Sequence, residues 1–181
     1  MEEISSNDEV FEWYKDIMFD IGEDNTNVLK WYGDAAFAVH PNMQSHTGGT
    51  FTMGKGSIIN ILTKQKLNTK SSTEAELVGA DDLLNQILWT NYFLDAQGYE
   101  VKDTVLYQDN KSTMLLLNNG KESSTKRRRH LNIRYFFLSD QIAKKELHIE
   151  YCLTDDMLAN YFSKPLQGMK FKKLRKAVMN L

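Results

Sequence analysis

Three acidic positions in this chain stand where chemistry, rather than solvation, would put a carboxylate. Asp34 lies inside the run Trp31-Tyr32-Gly33-Asp34-Ala35-Ala36-Phe37-Ala38-Val39, which is otherwise apolar. A buried, ionised Asp is costly unless hydrogen bonds, a counter-charge or a metal compensates it. The run therefore admits two readings: a structural Asp held by backbone amides or a nearby Lys, or a carboxylate gathered with others around a cation. Two glutamates follow in Ser71-Ser72-Thr73-Glu74-Ala75-Glu76, at the opening of the longest helical pattern. If Ser71 is the N-cap, Glu74 stands at N3 and completes a capping box, leaving Glu76 free to face the sheet; if Thr73 is the cap, the roles swap. The first assignment is preferred. Asp109 stands where an apolar strand around Val105-Leu106-Tyr107 gives way to a helical pattern from Asn110, and strand ends beside helix starts are where α/β sheets bind ligands.

The elements that must carry these groups can be read from periodicity. Leu29, Trp31, Ala35, Phe37 and Val39 alternate with Val28, Tyr32, Ala36 and Ala38, so both faces of the first long strand are apolar and it should lie centrally, covered on both sides. Thr47 to Met53 and Ser57 to Lys64 read as a hairpin around Gly54-Lys55-Gly56, giving three successive antiparallel strands, with Gly48-Gly49 as a candidate bulge. A long helix to about Gly98 then crosses over to a fourth strand, Val101 to Gln108, parallel to the first. A helix from Asn110 to Leu117, a helix from Leu131 to about Lys145 and a fifth strand, Glu146 to Cys152, come next. Thr154 is placed as the cap of a short helix, Asp155 to Phe162, and a basic helix starts near Met169. Ahead of all this, Val10, Phe11, Tyr14, Ile17, Met18 and Ile21 form one apolar stripe that Gly22 would end.

Composition narrows the function classes. The 181 residues suit one domain with a real core. No run approaches the ~18 apolar residues of a membrane helix, and the start is acidic where an export signal would be basic. An intracellular protein, cytoplasmic or nuclear and not secreted, is the expectation. The one cysteine, Cys152, cannot close an internal disulfide, and the four histidines show no zinc-ligand spacing with it. A net charge of -2 hides an acidic first segment, a basic run Lys126-Arg127-Arg128-Arg129, and a basic tail, so a polyanionic partner remains compatible.

Taken together, Tyr32-Gly33-Asp34-Ala35, Lys64-Gln65-Lys66 with Ser71 to Glu76, Tyr107-Gln108-Asp109-Asn110, His130-Leu131-Asn132-Ile133-Arg134-Tyr135-Phe136 and Ser163-Lys164-Pro165-Leu166 resemble the ribonuclease H region of Ty1/copia-type retrotransposon polyproteins. The resemblance implies an α/β, ribonuclease H-like fold with a five-stranded mixed sheet, three antiparallel strands followed by parallel crossovers, flanked by helices. It divides the chain into an acidic helical extension (1–27), the ribonuclease H-like domain (28–166) and a basic C-terminal helix (167–181). It implies hydrolysis of the RNA strand of RNA-DNA hybrids with two Mg2+ ions, Mn2+ being able to substitute, held by Asp34, Glu76 and Asp109. It also implies that the rest of a retrotransposon polyprotein is a partner if the chain is an excised piece. The family's fourth carboxylate falls at Asn160, which carries no charge, and Asp156 is the candidate to compensate for it, its other role being to complement a helix dipole. Lys126, Arg127, Arg128, Arg129 and Arg134 are the candidates for phosphate contact; a solvated basic loop or an import signal is the alternative. Two further readings follow from Asn160 and the first helix: a catalytically weakened nucleic-acid-binding module, or a protein-interaction relic.

Overall fold

The apolar run around Asp34 forms the middle of a sheet because neither of its faces can be left in water. The structure is a computed structural model that describes residues 21–118 and 129–181, the side chains of 129–133 excepted. The first half of the chain forms strands β1 (Gly22–Glu23), β2 (Val28–Ala36), β3 (His46–Thr52), β4 (Gly54–Lys55) and β5 (Ile59–Lys64). Helix α1 (Ser72–Ala96), strand β6 (Asp103–Gln108) and helix α2 (Lys111–Asn118) follow. The remainder comprises α3 (Arg129–Ala143), β7 (His148–Tyr151), the single turn α4 (Asn160–Ser163) and α5 (Gly168–Met179). No helix among the described residues is long and apolar enough to cross a membrane.

The main sheet has the order β5-β3-β2-β6-β7. The β2–β3 and β3–β5 pairs are antiparallel, and the β2–β6 and β6–β7 pairs are parallel. This is the mixed five-stranded α/β architecture expected from the element order, with β2 at its centre. One face is covered by α1: Leu29, Trp31, Phe51, Leu83, Leu84, Ile87 and Leu106 are buried together there, each contributing on the order of 2 kcal/mol of burial. Gly33 and Gly49, paired across β2 and β3, make the saddle into which Leu83 drops; a Cβ on Gly33 would meet Leu83 Cδ1 at 2.9 Å.

Several expectations are corrected. β2 ends at Ala36, and Phe37 and Val39 are 41% and 56% exposed, because the chain turns out of the sheet through Ala38, whose φ is +53°. Gly48-Gly49 is no bulge: both glycines keep the uninterrupted β2–β3 register, and their missing side chains serve close approach instead. Gly22 and Glu23 form a separate two-stranded antiparallel pair with Gly54 and Lys55, so the link expected from Glu23 begins as a strand. The helix expected from Asp155 to Phe162 is reduced to Asn160–Ser163, preceded by turns, so Thr154 does not cap it. The amphipathic stripe from Val10 to Met18 lies outside the described residues. The basic C-terminal helix docks on the domain by burying Leu174 and Val178, and the carbonyl of Val178 accepts from the Ser57 amide at 2.8 Å.

Candidate metal centre

Each acidic group is delivered by a different element for a local reason. In β2, the odd positions Trp31 and Gly33 face α1, so Asp34 points to the opposite face. The β2–β6 register sets Tyr32 beside Tyr107, and carrying it two residues further puts Asp34 level with Asp109 just past the end of β6. The Asn110 side chain then accepts from the amides of Ser112 (3.0 Å) and Thr113 (3.2 Å), starting α2 and turning the chain directly after Asp109.

Helix α1 supplies the third group. Ser71 is its N-cap, the hydroxyl accepting from the Glu74 amide at 3.2 Å, while the Glu74 carboxylate accepts from the Lys70 amide at 2.8 Å. Glu74 is thus engaged at the cap, and Glu76 faces the sheet, where its carboxylate accepts from the Ala35 amide. Gln65, buried at the end of β5, clamps this first turn by donating to the Ala75 carbonyl (2.8 Å) and to Thr47 Oγ1 (3.0 Å).

The result is a cluster in which ligand oxygens of Asp34, Glu76 and Asp109 all lie within 4.8 Å of one another. Asp34 and Glu76 are buried and Asp109 is half-buried. Burial, followed by the nearby charges of Asp34 and Asp109, pushes the Glu76 carboxyl well above its ordinary value, against the opposing pull of the Ala35 amide and Lys164. Glu76 Oε2 is buried without a hydrogen-bond partner among the described residues. An all-oxygen, carboxylate-rich donor set with an unpartnered buried oxygen fits a hard divalent cation such as Mg2+ or Mn2+, whose charge would favour the ionised form of Glu76.

Two neighbours from the C-terminal segment complete the surroundings of Asp34. The Ser163 hydroxyl donates to Asp34 Oδ2, and the Lys164 ammonium donates to Asp34 Oδ1 at 2.9 Å. Lys164 also donates to Asn160 Oδ1 at 2.6 Å, and Asn160 Nδ2 donates to the Thr154 carbonyl at 2.9 Å. This approach depends on Gly48, the β3 partner of Asp34: a Cβ there would meet the Ser163 backbone nitrogen and Cβ at 2.8 Å. In the sequence, Ser163 and Lys164 stand out only as part of the motif Ser163-Lys164-Pro165-Leu166, with no role at the site attached to either.

Other site candidates are placed elsewhere. Asp156 is exposed and ion-paired to Lys173 of α5 at 2.6 Å, and it does not belong to the cluster. It sits in a turn rather than one helical turn before Asn160, so the expected compensation has no geometric support. Arg134 lies against α1, its guanidinium bonded to Asp81 (2.6 Å) and Asp82 (3.0 Å). Burial raises the Asp81 carboxyl even with that guanidinium beside it. Lys126, Arg127 and Arg128 lie outside the described residues, as does the side chain of Arg129 at the start of α3.

No protein-family model matches the chain. It is 29% identical over 152 residues to the retrovirus-related Pol polyprotein from transposon TNT 1-94 of Nicotiana tabacum, an alignment covering 83% of this chain and 11% of that protein. Against the Pol polyprotein from transposon RE1 of Arabidopsis thaliana it is 30% identical over 150 residues, covering 82% and 10%. Against the Ty1-JR2 Gag-Pol polyprotein of Saccharomyces cerevisiae it is 27% identical over 150 residues, covering 82% and 8%. The chain thus spans about a tenth of the length of the curated relatives it matches. Among solved structures, LC11 ribonuclease H1, isolated from compost, superposes with a TM-score of 0.54 at 13% identity, covering 75% of this chain and 92% of that one. The same enzyme in complex with an RNA/DNA hybrid gives a TM-score of 0.54 at 11% identity, covering 74% and 92%. At such identities the likeness is one of fold.

Proposed function

We propose that this chain, a ribonuclease H domain of the Ty1/copia retrotransposon Pol type, is a divalent-cation-dependent nuclease that hydrolyses the RNA strand of RNA-DNA hybrids. The observation that carries the reading is the convergence of Asp34, Glu76 and Asp109, 75 residues apart in sequence at the extremes, on one partly buried patch within 4.8 Å. Asp34 would hold the cation from β2, Asp109 from just past the end of β6 and Glu76 from the N-terminal part of α1. A divalent ion held there would supply Lewis acidity toward an attacking water and a leaving oxygen. The chain's own residues fix the geometry beforehand. Ser163 and Lys164 orient Asp34, the Ala35 amide orients Glu76, and the Asn110 cap sets the turn that presents Asp109. The hybrid as substrate is supported by the fold shared with a ribonuclease H1 that was crystallised with one. The basic run Lys126 to Arg129 would add phosphate contacts.

A second reading, a weakened module that binds hybrid without efficient cleavage, is favoured by one observation. Residue 160 is an amide engaged with Thr154 and Lys164 instead of a free carboxylate. Cleavage of a labelled hybrid in Mg2+ and then Mn2+, with Asp109→Asn as control, separates the two. Metal-dependent cleavage lost in the control supports the nuclease, and equal turnover by both proteins overturns it.

A further inference from the structure

The ammonium of Lys164 lies between the carboxylate of Asp34 and the amide oxygen of Asn160, 2.9 Å and 2.6 Å away. Asp34 belongs to the carboxylate cluster, and Asn160 stands where the family that the chain resembles carries its fourth carboxylate, so these are the two groups that a second divalent ion would need. We infer that Lys164 is a built-in monovalent cation that takes the second ion's part, so that the centre binds one divalent ion. The inference rests on the metal-centre reading of Asp34, Glu76 and Asp109.

Donor and acceptor chemistry fixes the orientation of Asn160. Its Nδ2 meets the Thr154 carbonyl, which cannot donate, and its Oδ1 meets an ammonium, which cannot accept. A flipped amide would lose both bonds. The oxygen that could have reached a metal is therefore engaged by a charge-assisted bond and brings no negative charge of its own. Asp34 is likewise engaged on both oxygens, by Ser163 and by Lys164. Each carboxylate oxygen still has a second lone pair to offer, which leaves Asp34 able to join Glu76 and Asp109 around one ion.

Charge and size agree. The three carboxylates of the cluster carry three negative charges when ionised, which one dication and one ammonium cancel. Two dications in the same place would leave an excess positive charge next to a fixed ammonium. Oxygens bound to one Mg2+ at about 2.0–2.1 Å lie up to about 4.2 Å apart across the ion. A set spread within 4.8 Å is close to that span. The covalent link is also favourable: Lys164 follows Ser163 directly, so whatever seats Ser163 against Asp34 delivers the ammonium as well.

The test is Mn2+ stoichiometry on the full chain, by electron paramagnetic resonance titration of free Mn2+, with circular dichroism to verify folding. Wild type is expected to bind one Mn2+, Lys164→Arg one, and the double variant Lys164→Met with Asn160→Asp two. Should the double variant fail to fold, Lys164→Met alone must show a second, weaker ion that Lys164→Arg does not. Two ions on the wild type, or no gain in the folded methionine variants, overturns the inference while leaving the metal centre intact. No bound Mn2+ on any of the proteins overturns the metal-centre reading and the inference together.

Discussion

Replacing Glu76 by Gln should make the metal-free protein more stable, and the gain should depend on pH in a direction the structure sets. Glu76 is 5% exposed, and its carboxyl is raised well above the ordinary value of 4.5 by burial and by Asp34 and Asp109. At an effective dielectric of about 20, a like charge within about 5 Å costs roughly 3 kcal/mol. Glu76 can escape part of this by taking up a proton. The penalty at pH 7 is then bounded by about 1.4 kcal/mol for each pH unit between the unfolded value and pH 7, roughly 3 kcal/mol in all. Because the folded state binds the proton more tightly than the unfolded chain, stability falls as pH rises from about 4.5 toward the folded-state value. Below about pH 4.5 both states are protonated and the penalty vanishes. Glu76→Gln removes the ionisable group while keeping its shape, and its new amide hydrogens can donate to Asp34 and Asp109. The expected gain at pH 7 is about 1–3 kcal/mol, or about 2–10 °C in Tm for a chain of this size, shrinking toward zero by pH 4. Thermal unfolding followed by circular dichroism in excess chelator, from pH 4 to pH 8, measures it. Adding Mg2+ should then raise the Tm of wild type more than that of the variant. A variant no more stable than wild type at pH 7, or a gain that is the same at pH 4, would refute the argument that these carboxylates repel one another across a buried patch.

Other expectations follow from single contacts. Gly48→Ala places a methyl against the Ser163 backbone and should cost about 1–3 kcal/mol in urea unfolding, with no relief from adding Ser163→Ala because the backbone nitrogen is struck too. Ser71→Ala removes the α1 cap and should cost about 1 kcal/mol, measured in the same way. Arg134→Ala should lower stability by about 1–2 kcal/mol through Asp81 and Asp82 while leaving hybrid affinity unchanged in a filter-binding assay. Neutralising Lys126 to Arg129 should instead weaken hybrid binding and flatten its dependence on salt; an unchanged slope would remove that run from the interface.

Much of the site was visible in the chain before folding because burying charge is expensive. Asp34 stands out only against an apolar run, Glu76 is separated from Glu74 by cap stereochemistry, and Asp109 is marked by a strand handing over to a helix. These are local patterns, set by a few residues of neighbouring sequence, and they also carried the strand order and the crossovers. What surrounds Asp34 was of another kind. Ser163 and Lys164 reach it across about 130 residues, an approach that exists only because Gly48 has no side chain to hold α4 away from the sheet. The same long-range geometry took Asp156 to Lys173 and Arg134 to the aspartates of α1. Sequence periodicity says which face of an element a side chain leaves from. How near another element comes to that face is a packing outcome, decided by volumes at contacts that no local window of the chain contains.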